Sequence, residues 1–181
     1  MNLNIVLQSI LGSAGNVTAA SYGWILAPRT GGLEVVAAIG SGDLIGATVP
    51  ADVGTAAYVL ASGQPIAMAP RPDDTTASEG VAALLGVRPT AVLSVPAAHD
   101  DEVLGVLELI DKAGGEAFTF DDLELVTVLA DIAGSALRSG TPDVDVRSPD
   151  ELSAELRQLA GADPAAYARV ASVLEALLAR G

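Results

Sequence analysis

A long apolar segment, residues 101–112, dominates the pattern of hydrophobic and polar positions along the chain. Valine, leucine and isoleucine fill it, an acidic turn precedes it and two glycines follow it, which predicts a central β-strand. Successive side chains of a strand point to opposite faces, and both faces are apolar here, so we expect the strand to be covered on both sides. Glu108 is the exception. Because a buried, unpaired charge is costly, Glu108 requires a partner, a shifted pKa, a solvated pocket or a ligand.

The residues before this strand predict one helix, a hairpin and a second helix. Apolar residues at helical spacing indicate an opening helix that ends at Gly12. A strand at residues 16–27 and a return strand at residues 33–39 predict the hairpin. Asp52 is the predicted N-cap of the second helix, and Gly63 is its predicted end.

Shorter elements and a long helix complete the first part of the chain. The shorter ones are a strand at residues 64–69, a small helix at 81–85 and a strand at 90–98. Thr119 and Asp122 form a capping box, which starts a helix that runs to about Arg138. The predicted apolar stripe of this helix consists of Leu125, Leu129, Ile132 and Ala136.

The C-terminal part predicts a separate helical extension. Residues 140–147 are rich in glycine, threonine, proline and acids, and we assign them as a linker between a domain at 1–139 and a helical hairpin at 148–181. Ser148 and Glu151 form a second capping box. The apolar seam of the hairpin spans about two heptads, which is compatible with packing on its own domain or with a free coiled coil.

Composition excludes several classes of function. The chain has 181 residues, 23 acidic against nine basic side chains, and a net charge of −14, so nucleic acids and anionic membranes are not expected partners. No apolar run reaches the roughly 18 to 20 residues that span a bilayer, and the N-terminus lacks a basic signal-peptide region, which predicts a cytoplasmic protein. The chain contains no cysteine, which removes disulfides, thiolate metal sites and cysteine nucleophiles.

The order and spacing of several short motifs resemble a GAF domain over roughly residues 3–139. The motifs are Val49-Pro50-Ala51-Asp52-x-Gly54, Ser62-Gly63-Gln64-Pro65, Gly86-Val87-Arg88 before Leu93-Ser94-Val95-Pro96, Val103–Leu109, and Phe118-Thr119-x-x-Asp122. The resemblance implies an α+β fold with an antiparallel sheet of five or six strands. It also implies that the first and last helices lie on one face and that a lidded pocket lies on the other.

The same resemblance implies candidate ligand-binding residues. In cyclic-nucleotide-binding members a glutamate on this strand contacts the base, and Glu108 occupies that place. Ser94, Tyr58 and Met68 are expected to line the same cavity, although each also suits a plain core position. We assign Tyr22 and Trp24 to opposite faces of their strand, so that one of them faces the lid.

The rest of the family signature departs from the nucleotide-binding pattern. Asp111-Lys112…Phe118-x-x-x-Asp122-Leu123 stands where those members have Asn-Lys…Phe-x-x-x-Asp-Glu. The lid segment at residues 81–87 is apolar, which favours a smaller or more apolar ligand, or none. Family enzymes that reduce methionine sulfoxide need cysteines, which this chain lacks, so we do not expect catalysis. His99 is the single histidine and is expected to be a surface imidazole, so we expect neither a cofactor nor a metal site.

Two functions follow from these features. The first is a signalling module that binds a small molecule or a partner protein and acts as a homodimer. The second is a dimerisation or protein-interaction scaffold whose pocket is filled by its own side chains. Under either function a protein partner is expected to contact the terminal helices.

Overall fold

The computed structural model describes residues 3–71 and 73–139, together with residues 158, 160, 161 and 164. The chain divides into two compact units, residues 1–142 and 143–181. Apart from the four isolated residues, the predicted linker at 140–147 and hairpin at 148–181 lie outside the described residues. The elements of the first unit are α1 (Leu3–Thr18), β1 (Ala20–Arg29), β2 (Gly32–Ile39), β3 (Thr48–Val49), α2 (Gly54–Ser62), β4 (Ile66–Met68), α3 (Val81–Leu85), β5 (Val92–His99), β6 (Glu102–Lys112) and α4 (Phe120–Ser139).

The strands form one six-stranded antiparallel sheet in the order β3-β2-β1-β6-β5-β4. The segment predicted as the central strand is β6, which pairs with β1 on one side and with β5 on the other. Its two faces are both covered, since Leu107 and Leu109 belong to one core cluster and Val106 and Ile110 to another. The predicted α+β sheet is therefore confirmed.

Helices α1 and α4 pack together on one face of the sheet. Their core cluster contains, among others, Leu7, Leu11, Ile25, Leu93, Leu107, Leu109, Val126 and Ala130. On the opposite face, α2, α3 and a short 3₁₀ turn at Thr76–Ser78 cover a second cluster built around Trp24, Leu26, Val59, Val81 and Val106. We call this second side of the sheet the lid side.

The predicted end of α1 at Gly12 is wrong. The helix continues to Thr18, and the strand that was expected from residue 16 begins at Ala20. A Cβ at Gly15 would overlap Cδ1 of Ile39, so glycine at that position lets the helix approach β2 closely. The helix ends instead at Thr18, and Ala19, the next residue, has a positive φ of 56°.

The predicted start of α2 at an Asp52 cap is also wrong. The helix begins at Gly54, its N-cap is Val53, and no side chain caps the first turn. The predicted ends are correct for both lid helices, because Gly63 after α2 and Gly86 after α3 adopt left-handed conformations.

Helix α4 begins with the predicted capping box, in which Asp122 accepts the Thr119 backbone N–H at 2.7 Å and the Thr119 hydroxyl accepts the Asp122 N–H at 3.2 Å. The predicted apolar stripe is wrong for Leu125 and Ile132, which are each 43% exposed. The sheet approaches α4 closely, so smaller residues form the buried stripe. They are Val126, Ala130, Ala133 and Gly134.

A side chain of α1 covers part of the open edge of the sheet. Strand β3 pairs with β2 only at Leu33 and Glu34. Further along β2, Gln8 Nε2 donates to the Ala38 carbonyl at 2.7 Å, and the Ala38 N–H donates to Gln8 Oε1 at 3.2 Å.

None of the helices in the described part of the chain is long and apolar enough to cross a membrane.

Candidate functional site

The candidate site is a row of three side chains across the middle of the sheet. Trp24 on β1 lies directly opposite Glu108 on β6, and Ser94 on β5 lies directly opposite Glu108 on its other side. Residues opposite each other in antiparallel strands share a face with their Cβ atoms about 5 Å apart. We call Trp24, Glu108 and Ser94 the Glu108 row.

The Glu108 carboxyl is buried and hydrogen bonded by two neutral groups. Its side chain is on the lid side, and the residue is only 5% exposed. The Trp24 indole N–H donates to Oε1 at 2.9 Å, and the Thr55 hydroxyl contacts Oε2 in a short hydrogen bond. Because Thr55 lies in the first turn of α2, this bond joins the lid to the sheet.

Burial raises the pKa of Glu108 above its ordinary value of 4.5, and the hydroxyls of Thr55 and Ser94 and the indole of Trp24 oppose that rise only in part. Desolvation disfavours the charged form of a carboxyl group. No lysine, arginine or histidine forms an ion pair with Glu108 in the described part of the chain. The site therefore favours a protonated carboxyl group or a compensating charge from outside.

Ser94 is the member of the row whose polar side chain lacks a hydrogen bond among the described residues. Its hydroxyl is close enough to the carboxyl group to oppose the pKa rise of Glu108. The hydrogen-bond geometry is nevertheless not met, and Ser94 Oγ is buried without a partner among the described residues. A buried hydroxyl that lacks a hydrogen bond costs about 1 to 3 kcal/mol.

The other two predicted site residues lie in different environments. Met68 on β4 packs partly buried against the lid-side cluster and lines a cleft of about 370 Å³ with Ala69, Arg71, Asp73 and Asp74. Tyr58 points outward from α2 and is 56% exposed. The structure thus brings Glu108 and Ser94 together, with Met68 on the same side of the sheet, and leaves Tyr58 outside the row.

Two residues of the site were missed or misplaced by the sequence reasoning. Tyr22 and Trp24 share the lid side, since residues two apart in a strand point the same way, so their assignment to opposite faces is wrong. Correct alternation would have placed Trp24 on the same face as Tyr22, and the register of β1 with β6 sets Trp24 opposite Glu108. Thr55 carried no local signal, because its bond to Glu108 joins residues 53 positions apart.

The residues of the family signature act as structural supports. Asp111 Oδ1 accepts the backbone N–H groups of Thr90 and Ala91 at 2.7 and 3.1 Å, which fixes the start of β5. Lys112 Nζ lies 2.9 Å from Asp122 Oδ2, and both side chains are largely buried. Desolvation raises the pKa of Asp122, but the bonds from Thr119 and Lys112 outweigh it and hold that pKa below its ordinary value.

The row suits recognition of hydrogen-bond donors. An ionised carboxylate offers roughly four acceptor positions, and a serine hydroxyl both donates and accepts. Among the described residues, no group of three or more histidine, cysteine or carboxylate side chains is placed to hold a metal ion. His99 lies at the end of β5, where its ring contacts Ser135 Oγ at 3.1 Å and Asp100 at 3.4 Å.

Comparisons with known proteins agree on the fold. The family model for the GAF domain matches residues 2–137. The chain is similar to the GAF-B domain of DevS from Mycobacterium smegmatis, at 20% identity and a TM-score of 0.60 over 77% of this chain and 95% of that one. It is also similar to the GAF domain of an Acinetobacter phosphoenolpyruvate-protein phosphotransferase, at 13% identity and a TM-score of 0.67 over 80% and 88% of the two chains.

A third similar structure is an enzyme. The type II free methionine-R-sulfoxide reductase from Thermoplasma acidophilum is 11% identical, with a TM-score of 0.58 over 76% of this chain and 96% of that one. At such low sequence identities, the structural similarity of these proteins to this chain shows a shared fold alone. No curated protein matches the chain.

Proposed function

This chain belongs to the GAF domain family, most of whose members are sensory and signalling modules, and from that premise we propose that it binds a small molecule at the Glu108 row. It acts on a protein partner and does not catalyse a reaction. The absence of cysteine and the presence of a single histidine support a non-catalytic role. Its cytoplasmic location stays a prediction from the sequence.

The observation that carries this proposal is the buried pair of polar groups at Glu108 and Ser94. A carboxyl group without a counter-charge and a hydroxyl without a partner cost stability in an apolar cluster. A purely structural position would be served better by an apolar side chain of similar size. A ligand that satisfies both groups explains why they stand in the middle of the sheet.

The lid gives ligand binding a route to the rest of the domain. Thr55 attaches α2 to Glu108, so a ligand that binds the carboxyl group competes with the Thr55 hydroxyl or reorients it. Displacement of α2 would also affect the 3₁₀ turn at Thr76–Ser78, which α2 contacts. Occupancy of the site then shifts the balance between two arrangements of the lid, as differential binding requires.

Substitution of Glu108 by glutamine is expected to remove a bound small molecule from the purified protein. Native mass spectrometry and chromatography of the denatured extract would compare the wild-type protein, purified from its source organism, with the Glu108→Gln variant. We expect a molecule that is retained by the wild type and lost, or reduced about tenfold, in the variant, since a charged hydrogen bond contributes about 1.5 to 3 kcal/mol. Glu116→Gln, which changes an exposed carboxylate, is the control. Equal retention by all three proteins, or no retained molecule, contradicts the proposal.

A second candidate function is a dimerisation scaffold. The existing hydrogen bonds of Glu108 favour it, because Trp24 and Thr55 already bind the carboxyl group and take the place of a ligand. The outer face of α4 favours it too, since it exposes the large apolar side chains of Leu125, Val128 and Ile132. On α1, Ile5 is also exposed, in a cleft with Gln8, Val36 and Ile45.

Introduction of a charge on this outer face is expected to weaken self-association. Val128 is 52% exposed on α4, and Val128→Glu would place a carboxylate in the proposed interface, with an expected loss of at least about tenfold in dimer affinity. Sedimentation velocity over a concentration series measures the change. Leu84→Glu places the same charge at an equally exposed position on the lid side and is expected to leave the dimer intact. A wild-type protein that stays monomeric at high concentration contradicts the scaffold.

A further inference from the structure

The carboxyl group of Glu108 faces no positive charge in the described part of the chain. The ion pairs there join Arg29 to Glu34, His99 to Asp100, Lys112 to Asp122 and Arg138 to Glu102. The groups that bond Glu108 are an indole and a hydroxyl, and both are neutral. The basic side chains on the strands beside it, Arg29 on β1 and His99 on β5, lie at strand ends and contact Glu34 and Asp100 instead. The phenols of Tyr22 on β1 and Tyr58 on α2 carry no positive charge.

The unused hydrogen-bonding capacity of the row lies on one side of Glu108. Trp24 occupies the β1 side and uses Oε1, while Thr55 on α2 uses Oε2. On the β5 side lies Ser94, whose hydroxyl has no hydrogen-bond partner among the described residues. A carboxylate accepts about four hydrogen bonds, so about two acceptor positions remain beside an unsatisfied hydroxyl.

From this pattern we infer that the Glu108 row takes a small organic cation with several N–H donors, such as an amidinium or guanidinium group. One edge of the cation would bind the Glu108 carboxylate, and a further N–H would bind Ser94 Oγ. This inference rests on the proposed function and names the chemical class of the ligand. A cation supplies the counter-charge that the fold lacks, and charge-assisted hydrogen bonds of this kind are about twice as strong as neutral ones.

The net charge of the chain and the charges beside Met68 on the lid side agree with a cationic ligand. A net charge of −14 attracts cations to the surface. The cleft beside Met68 carries two carboxylates, Asp73 and Asp74, against one guanidinium, Arg71. A metal ion suits the row less well, because one carboxylate and two hydroxyls fall short of the six to eight oxygens of a calcium site.

Binding of a cation has a consequence that a neutral ligand does not share. Burial raises the pKa of Glu108, and the positive charge of the ligand would lower it again. The complex therefore releases a proton to the buffer in the pH range where the free protein holds it. A neutral amide of the same shape leaves the carboxyl group protonated.

The test compares matched pairs of small probes on the intact chain at physiological salt. Benzamidinium and benzamide have nearly the same shape and differ in charge, and acetamidinium and acetamide form a smaller pair. The chain has one tryptophan, so the single indole ¹⁵N–¹H signal and the intrinsic fluorescence both report on Trp24 at the site. Calorimetry in phosphate and in Tris measures the released proton.

We expect at least one amidinium to shift the indole signal saturably, with an apparent Kd about tenfold or more below that of its amide. Glu108→Gln should abolish the difference. If that variant does not fold, Ser94→Ala provides an independent test, since it should weaken amidinium binding while it raises stability by removing an unsatisfied hydroxyl.

Three results of the amidinium and amide titrations would overturn the inference. They are amide binding as tight as amidinium binding, amidinium binding that is unchanged in Glu108→Gln, and the absence of any saturable shift with either pair. A neutral molecule that is retained by the wild-type protein and lost in Glu108→Gln would support the proposed function and exclude only a cationic ligand. An equal shift caused by potassium or sodium chloride would assign the site to a metal ion and also overturn the inference.

Discussion

Replacement of Gly134 by alanine is expected to lower the free energy of unfolding by about 3 kcal/mol, near the upper end of the usual cost of overpacking. Gly134 is buried where α4 crosses β5, and a Cβ there would overlap the backbone oxygen of Ala98 and lie 2.6 Å from its carbonyl carbon. A backbone atom cannot rotate aside as a side chain does. The helix must therefore move away from the sheet, which outweighs the roughly 1 kcal/mol that alanine gains over glycine in a helix.

The same substitution in α1 should act in the opposite direction. Gly12 lies within α1, and a Cβ added there would meet nothing within 4 Å. Gly12→Ala is expected to raise the free energy of unfolding by about 0.5 to 1 kcal/mol. Urea unfolding followed by circular dichroism measures both variants. If Gly134→Ala unfolds at the same urea concentration as the wild type or at a higher one, the close approach of α4 to Ala98 is contradicted.

The second large effect is a change in the pH dependence of stability when Glu108 becomes glutamine. The pKa of Glu108 is raised in the folded protein, so between the unfolded value, about 4.5, and the folded value the native state binds more protons than the unfolded state. Stability from this group is complete below pH 4.5 and is lost as the pH rises through the folded pKa. The maximum slope is about 1.4 kcal/mol per pH unit.

Glutamine removes this titration and keeps both hydrogen bonds, because its amide can accept from Trp24 and donate to the Thr55 hydroxyl. The stability of Glu108→Gln relative to the wild type is therefore expected to increase as the pH rises above 4.5. Urea unfolding at a series of pH values measures it, with Glu116→Gln as the control for an exposed carboxylate. A difference that stays constant or falls with pH would show that burial does not raise the pKa of Glu108.

The main features of the fold could be predicted because they depend on neighbouring residues. The continuous apolar run of β6, the glycines after α2 and α3, and the capping box of α4 are local signals. The structure has the strand, the two helix ends and the helix start where these signals indicate. The end of α1 was misread at Gly12. Glycine inside a helix costs only about 1 kcal/mol relative to alanine, and packing of the buried residues Leu11, Ala14 and Thr18 outweighs that cost, so the helix continues past Gly12.

Some residues of the candidate site could be identified from the local sequence pattern, and others are brought to the site only by the fold. A charge in the middle of an apolar strand singled out Glu108, and the pairing of β5 with β6 brings Ser94 beside it. Thr55 was missed and Tyr58 was selected, although both lie in α2 three residues apart. Which side of a short, almost uniformly apolar helix faces the sheet is decided by packing, and the sequence of α2 carries little polar contrast to predict it.

Through Gln8, the first helix covers part of a strand edge of the sheet as well as part of its core. The Gln8 carboxamide binds the N–H and C=O of Ala38 on the stretch of β2 beyond its pairing with β3. An exposed strand edge of this kind is a template on which other chains add strands and begin to aggregate. Shortening of the protein from its N-terminus past residue 8 would uncover both an apolar face and this edge. The usable N-terminal boundary for any fusion protein or sensor built on this domain therefore lies at α1, ahead of the first strand.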